Sequence, residues 1–239
     1  MKHCLFILSA VFIFSNSLKS QGYYYAGIGY NMAFLHNEGL DFVVDRYNDT
    51  RAYLDEPMEY PRYYDGASIH FGGAAKAFMF DLGWTVRSCK VSAVGIDLTG
   101  TEQQRDLKSK WNTFDMGLGI SLGGSHSFAM MFGVNTGIGN EKQYTRIDVP
   151  DDVHTADYEK INSNFKIGFE PFVQFILSSA DGMGLLIKPY YSLTPLMSDY
   201  YALNEGLNPN TYLNDPLTIE GRLTGFGISF IIVAYGYDN

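Results

Sequence analysis

Large apolar residues and small or polar ones alternate singly along most of this chain. Phe114, Met116, Leu118, Ile120 and Leu122 are separated by Asp115, Gly117, Gly119 and Ser121, with Gly123 after them. Phe128, Met130, Phe132 and Val134 alternate with Ala129, Met131, Gly133 and Asn135. Phe78, Phe80, Leu82, Trp84 and Val86 alternate with Met79, Asp81, Gly83, Thr85 and Arg87. The period recurs in Tyr24–Phe34, Phe165–Phe175 and Gly225–Ile232. Side chains alternate across a strand, so each run predicts a strand with one broad apolar face. A soluble sandwich would carry Lys, Glu and Thr on the other face. Here that face holds Gly, Ala, Ser and Asn with scattered charges of both signs. Such residues suit the narrow, plugged lumen of an eight-stranded barrel, with the apolar face against lipid. A soluble barrel with the apolar face as its core is the alternative.

The connections add an independent signal. The pattern predicts strands at about 22–35, 66–73, 76–89 or on to 97, 109–123, 126–140, 163–177, 183–194 and 219–236. Tight linkers at 72–75, 123–126 and 178–182 alternate with longer ones at 36–65, 98–108, 141–162 and 195–218. Short turns at one end and long loops at the other describe an all-β, up-and-down antiparallel transmembrane barrel, with short periplasmic turns and long external loops. Asp81, Arg87, Asp115, Lys166, Glu170 and Lys188 then face the lumen, where they can pair. Pro171 and Pro189 fall inside strands and predict bulges, because proline has no ladder donor.

The first residues fit this location. Met1-Lys2-His3 precedes an apolar run from Leu5 to Phe14, and Ser20-Gln21 offers a small residue before a polar one. That is the layout of a signal peptide over residues 1–20, leaving 21–239 as one barrel domain. The apolar run is about half of the ~20 residues a spanning helix needs. Cleavage would remove Lys2, Lys19 and Cys4, leaving 15 basic residues against 26 acidic ones, a net charge of −11. Such a balance excludes nucleic acid as a partner, since phosphate neutralisation needs Lys and Arg. Cys89 alone remains, so the fold has no internal disulfide.

Thr224-Gly225-Phe226-Gly227-Ile228-Ser229-Phe230 follows the order polar, Gly, two free positions, apolar, free, aromatic. With the alternation, it resembles small Gram-negative outer-membrane barrels of the OmpA/OmpX type. The resemblance implies the cell outer membrane as location, outer-membrane lipid as surroundings, and insertion by the barrel-assembly machinery through Thr224, Gly225, Ile228 and Phe230. Some lipid-modifying barrels of that membrane use a His/Ser pair with a carboxylate. Ser68 and His70 share a strand face, but no third member is evident in the sequence. His126 falls in a tight turn, where a solvated role is expected.

The longest loop carries eight acidic residues without the Asp-x-Asp-x-Asp-Gly spacing of a calcium loop, and Asp151-Asp152 is only a pair. No metal or cofactor is expected. The same loop holds Tyr47, Arg51, Tyr53, Tyr63 and Tyr64, residue types that concentrate at contact surfaces. The resulting expectation is a non-enzymatic outer-membrane barrel whose external loops contact a ligand or an envelope protein partner. A lipid-modifying hydrolase or acyltransferase and a soluble barrel binding an apolar ligand stand as alternatives. An eight-stranded lumen is too narrow for general diffusion.

Overall fold

The structure, a computed structural model, describes residues 23–237 apart from 76, 97–99, 126–127, 150–156, 180–181 and 210. The segment 1–20, His126, His154 and the Asp151-Asp152 pair lie outside the described residues. In chain order the elements are β1 (Tyr23–His36), α1 (Glu38–Asp49), β2 (Leu54–Glu56), β3 (Tyr63–Ala75), β4 (Phe78–Ile96) and β5 (Glu102–Ser125). Then follow β6 (Phe128–Asp148), β7 (Glu159–Ser178), β8 (Met183–Leu193), β9 (Ser198–Asp199), α2 (Tyr201–Leu207), β10 (Glu220–Gly221) and β11 (Thr224–Tyr237).

Eight strands form a ring. Each of β3, β4, β5, β6, β7, β8 and β11 pairs antiparallel with the next of the set, and β1 pairs with both β3 and β11. Closure leaves none of the eight with an open edge. Outward positions form a continuous apolar band. It includes Ile28 at 68% exposed, Trp84 at 62%, Leu118 at 72% and Phe226 at 70%. On β1 the band runs from Tyr24 to Phe34, close to the ~9–11 residues with which a tilted strand crosses a bilayer. No helix among the described residues is long and apolar enough to cross a membrane.

The inner face is more crowded than its small residues suggested. Tyr25, Tyr64, Trp111, Phe172 and Tyr190 are all buried there beside the charged groups. Glycines make room for these rings. A Cβ on Gly227 would overlap the Tyr190 ring, and one on Gly72 would reach the Tyr25 ring at 2.5 Å. At the closing seam, a Cβ on Gly225 would overlap the Phe34 carbonyl oxygen. The glycine of the assembly-type segment is thus also needed for β1 and β11 to approach.

Several boundaries differ from the sequence reading. The stretch 98–108 is no long loop: β4 and β5 stay paired from Phe78 opposite Ile120 to Ile96 opposite Glu102. Likewise β6 extends to Asp148 and β7 begins at Glu159, so the linker at 141–162 is largely strand. Above the band both faces of these strands become polar or mixed, which removes the alternation that marked them lower down. Pro171 and Pro189 produce no bulge. The β7–β8 register is the same from Phe169 opposite Leu193 to Ser178 opposite Gly184, with fewer bridged positions around the prolines. A missing N–H interrupts the ladder without inserting a residue. Register shifts fall elsewhere, between Ser121 and Gly123 and between Gln143 and Tyr144.

The long-loop end is folded. Asn37 caps α1, its side chain accepting from the Gly39 and Leu40 amides at 3.0 and 3.1 Å. Glu38 and Asp41 lie in the first turn and Arg46 in the last, complementing the helix dipole. Leu40, Val43, Val44 and Tyr47 form one buried stripe. It packs with Leu203 and Leu207 of α2, Ile219, Met58, and Ala93 and Leu107 of the barrel wall. This second core closes the mouth; each fully buried Leu or Val in it contributes about 1.5–3 kcal/mol relative to exposure.

Candidate functional site: a filled lumen and a closed mouth

Asp81, Arg87, Asp115, Lys166, Glu170 and Lys188 all lie buried on the inner face. They form successive groups along the axis. Lowest, Asp81 accepts from Lys188 Nζ at 2.9 Å and from Tyr25 Oη at 3.1 Å. Next, Arg87 donates to both carboxylate oxygens of Glu170, at 2.8 and 3.5 Å, with its guanidinium between the Trp111 and Tyr190 rings. Asp115 accepts from Thr85 and Thr113. Uppermost, Lys166 pairs with Glu141 at 2.9 Å. Glu141 was absent from the sequence-level lumen set because the sixth strand was ended at residue 140.

Tyr200, fully buried at the start of α2, joins the cap to this network. Its hydroxyl donates to Glu141 at 2.8 Å and accepts from Asn37 at 2.7 Å. The cap is therefore latched to the lumen through one polar chain as well as resting on an apolar core.

Ser68 and His70 gain a third partner that the sequence did not reveal. His70 Nε2 lies 2.9 Å from Ser68 Oγ, and Nδ1 lies 3.1 Å from Asp81 Oδ2. Asp81 sits on the neighbouring strand β4, so only the β3–β4 pairing makes the set visible. The order Ser–His–Asp is that of nucleophilic catalysis. All three are at most 4% exposed, however, and a Cβ on Gly29 would stand 2.7 Å from Ser68 Oγ. Asp81 is shared with Lys188 and Tyr25. The arrangement satisfies buried polar groups and leaves no room for a substrate beside the serine.

The loop residues separate into two classes. Tyr53 and Tyr63 are exposed and Arg51 is half-buried. Tyr47 and Tyr64 are not surface contacts. Tyr47 belongs to the buried stripe of α1, and Tyr64 lies at 1% exposure inside the barrel. The reason for Tyr64 is parity: β3 begins at Tyr63, which puts Tyr64 on the same face as Ser68 and His70. Among the described residues no group of three or more His, Cys, Asp or Glu side chains is placed to hold a metal ion.

A basic panel stands on the outer wall just above the apolar band. Lys90 is directly opposite Lys108, and Lys110 directly opposite Lys142. Like charges facing each other across strands are destabilising. Asp106 relieves part of this, pairing with Lys90 at 3.0 Å and Arg146 at 2.8 Å. Burial alone would raise its carboxyl. Hydrogen bonds from Gln104, Ser92, Lys90 and Tyr158 outweigh that and hold it well below the usual carboxylate range. Among the described residues, no carboxylate lies within ion-pair distance of Lys108, Lys110 or Lys142.

No family model matches the sequence, and no curated protein matches it. Among solved structures, the chain resembles Ail, the attachment invasion locus protein of Yersinia pestis, in complex with the heparin analogue sucrose octasulfate. The TM-score is 0.41 at 12% identity, covering 90% of this chain and 98% of that one. A second structure of Ail gives 0.37 at 11% identity with the same coverage. The translocator domain of the autotransporter NalP from Neisseria meningitidis gives 0.21 at 9% identity over 95% of each chain. What identifies the fold is its own ring of eight paired strands with an apolar exterior: an antiparallel membrane-spanning β-barrel.

Proposed function

We propose that this chain is a non-enzymatic outer-membrane protein whose folded loop cap is a contact surface for a ligand or an envelope partner. The observation that carries this reading is the combination of a filled lumen with a sealed mouth. Ion pairs and aromatic rings occupy the axis, and α1 and α2 pack across the top. Neither a diffusion path nor a substrate cleft fits such an interior. The surface left for work is the outside of the cap, where Tyr53, Tyr60, Leu213 and Leu217 are exposed, with Tyr63 exposed on the adjoining outer wall.

In this reading the signal peptide directs export, and the barrel-assembly machinery engages the closing strand β11 through Thr224, Gly225, Ile228 and Phe230. The long-loop end faces outward. The lysine panel then meets the phosphate groups of outer-membrane lipid, which offsets the repulsion between its facing lysines. Fractionation with heat-modifiable gel mobility tests the location. The protein should remain in the outer-membrane pellet and migrate differently before and after boiling. A mature chain that is soluble without detergent and shows no shift would overturn the proposal.

One observation favours a second reading, a lipid-modifying enzyme: the Ser68–His70–Asp81 hydrogen-bonded set. Its burial speaks against it. Replacing His70 by Ala should leave the lipid A species in purified membranes unchanged by mass spectrometry. Loss of a modified species in that variant would restore the enzymatic reading.

A further inference from the structure

The arginines of the loop end and upper wall are not alike. Arg46 pairs with Asp215, Arg62 with Asp41 and Arg146 with Asp106. Arg51 and Arg105 have no carboxylate within ion-pair distance among the described residues, and both reach the end of α2. Arg51 donates to the Leu207 carbonyl at 2.7 Å, the Asn208 side-chain carbonyl at 2.9 Å and the Tyr47 carbonyl at 3.1 Å. Arg105 donates to the Gly206 carbonyl at 3.2 Å and to Thr145 Oγ1 at 2.6 Å. Arg51 also donates to Thr50 Oγ1 at 3.0 Å and lies 3.8 Å over the Tyr47 ring, so two cations reach consecutive carbonyls with only neutral groups as direct partners. Helix-end carbonyls carry only partial negative charge, so they do not neutralise two guanidinium groups.

The pair is also in mutual repulsion. Burial is the main cause that lowers the Arg105 pKa; Tyr47 opposes it, the positive charge of Arg51 lowers it further, and Glu159 opposes it least. Tyr47 Oη lies within electrostatic reach of both arginines. Between them is a small open cavity of about 160 Å³, bordered by Tyr47, Arg51, Tyr53, Gln104 and Arg105. A water molecule's share of liquid volume is about 30 Å³, so the space holds a tetrahedral anion with some hydration. Arginine forks match the paired oxygens of such anions.

We propose that Arg51 and Arg105 form a binding site for one small tetrahedral oxyanion, a phosphate or sulfate group, at the rim between α1 and the barrel wall. The anion supplies the counter-charge that the protein leaves out and ties the end of α1 to β5. Both free phosphate and a phosphate ester on a sugar present this chemistry. The site depends on the cap geometry and not on which partner the outer surface meets.

The test is calorimetric titration of the full mature barrel in detergent micelles with sodium phosphate at constant ionic strength, and separately with glucose 6-phosphate. One saturable site per chain is expected. Arg105→Gln should weaken it by about tenfold or more, as expected for a lost hydrogen bond to a charged group. Lys110→Gln, on the outer panel, should leave it unchanged, with both variants keeping heat-modifiable mobility. Binding of both probes identifies an esterified group as acceptable; binding of inorganic phosphate alone identifies the free ion. Either sustains the site. No saturable binding by the unaltered protein into the millimolar range overturns it, as does equal weakening by Lys110→Gln.

Discussion

Replacing Arg87 by Met should destabilise the folded barrel by about 3–5 kcal/mol, the usual cost of removing one partner from a buried ion pair. The side chains of Arg87 and Glu170 are only 3% and 6% exposed, so water cannot replace the lost guanidinium. Glu170 and Asp115 already interact electrostatically across the lumen, and Arg87 is the cation acting on both. Without it, two carboxyl groups face each other in a filled interior. The double variant Arg87→Met, Glu170→Leu should recover most of the loss, because a well-packed apolar pair can replace a buried ion pair at little net cost. Urea unfolding in lipid vesicles, followed by the heat-modifiable band, gives both numbers through midpoint and slope. A single variant within 1 kcal/mol of the unaltered protein would mean that the lumen network is not sealed from water.

What the sequence disclosed follows from where its side chains have only two environments. Inside the membrane-height band, each residue meets either lipid or lumen, and alternation separated Trp84 from Thr85 and Leu118 from Gly117 unambiguously. Above the band that contrast vanishes. Lys108, Lys110 and Lys142 face outward, while Ser109, Glu141 and Gln143 face inward, and both sets are polar. Strand ends there were unreadable from period alone, and Glu141 was lost from the lumen set with them. The same parity would have placed Tyr64 correctly had it been carried two residues further up from Gly66.

The cap shows the opposite case, a legible signal obscured by its surroundings. Asn37 before Glu38, with Leu40, Val43, Val44 and Tyr47 at helical spacing, is a complete start signal and apolar stripe. It was masked by a loop otherwise rich in acids and tyrosines. The pairings that matter most for chemistry have no local signature. Asp81 reaches His70 only through the β3–β4 ladder, and Tyr200 reaches Glu141 only after the last long loop folds back over the mouth. Arg51 and Arg105 meet only because α2 lays its final carbonyls between them.

Placing an arginine at Leu118 separates a membrane barrel from a soluble one. Leu118 is 72% exposed at the middle of the outward run Phe114–Ile120 on β5. In water, an exposed Leu→Arg change away from special features alters stability by about 0.5 kcal/mol or less. In a bilayer the same position lies near the hydrocarbon midplane, where Arg costs about 2–4 kcal/mol on the lipid face of a barrel. Leu118→Arg should therefore lower unfolding stability in vesicles by that larger amount. Lys108→Ala, an exterior change above the band, should have little effect. The contrast depends on depth and not on exposure, since both side chains point away from the lumen. Equal and negligible effects at the two sites would remove the lipid from around this barrel and return its apolar exterior to a protein interface.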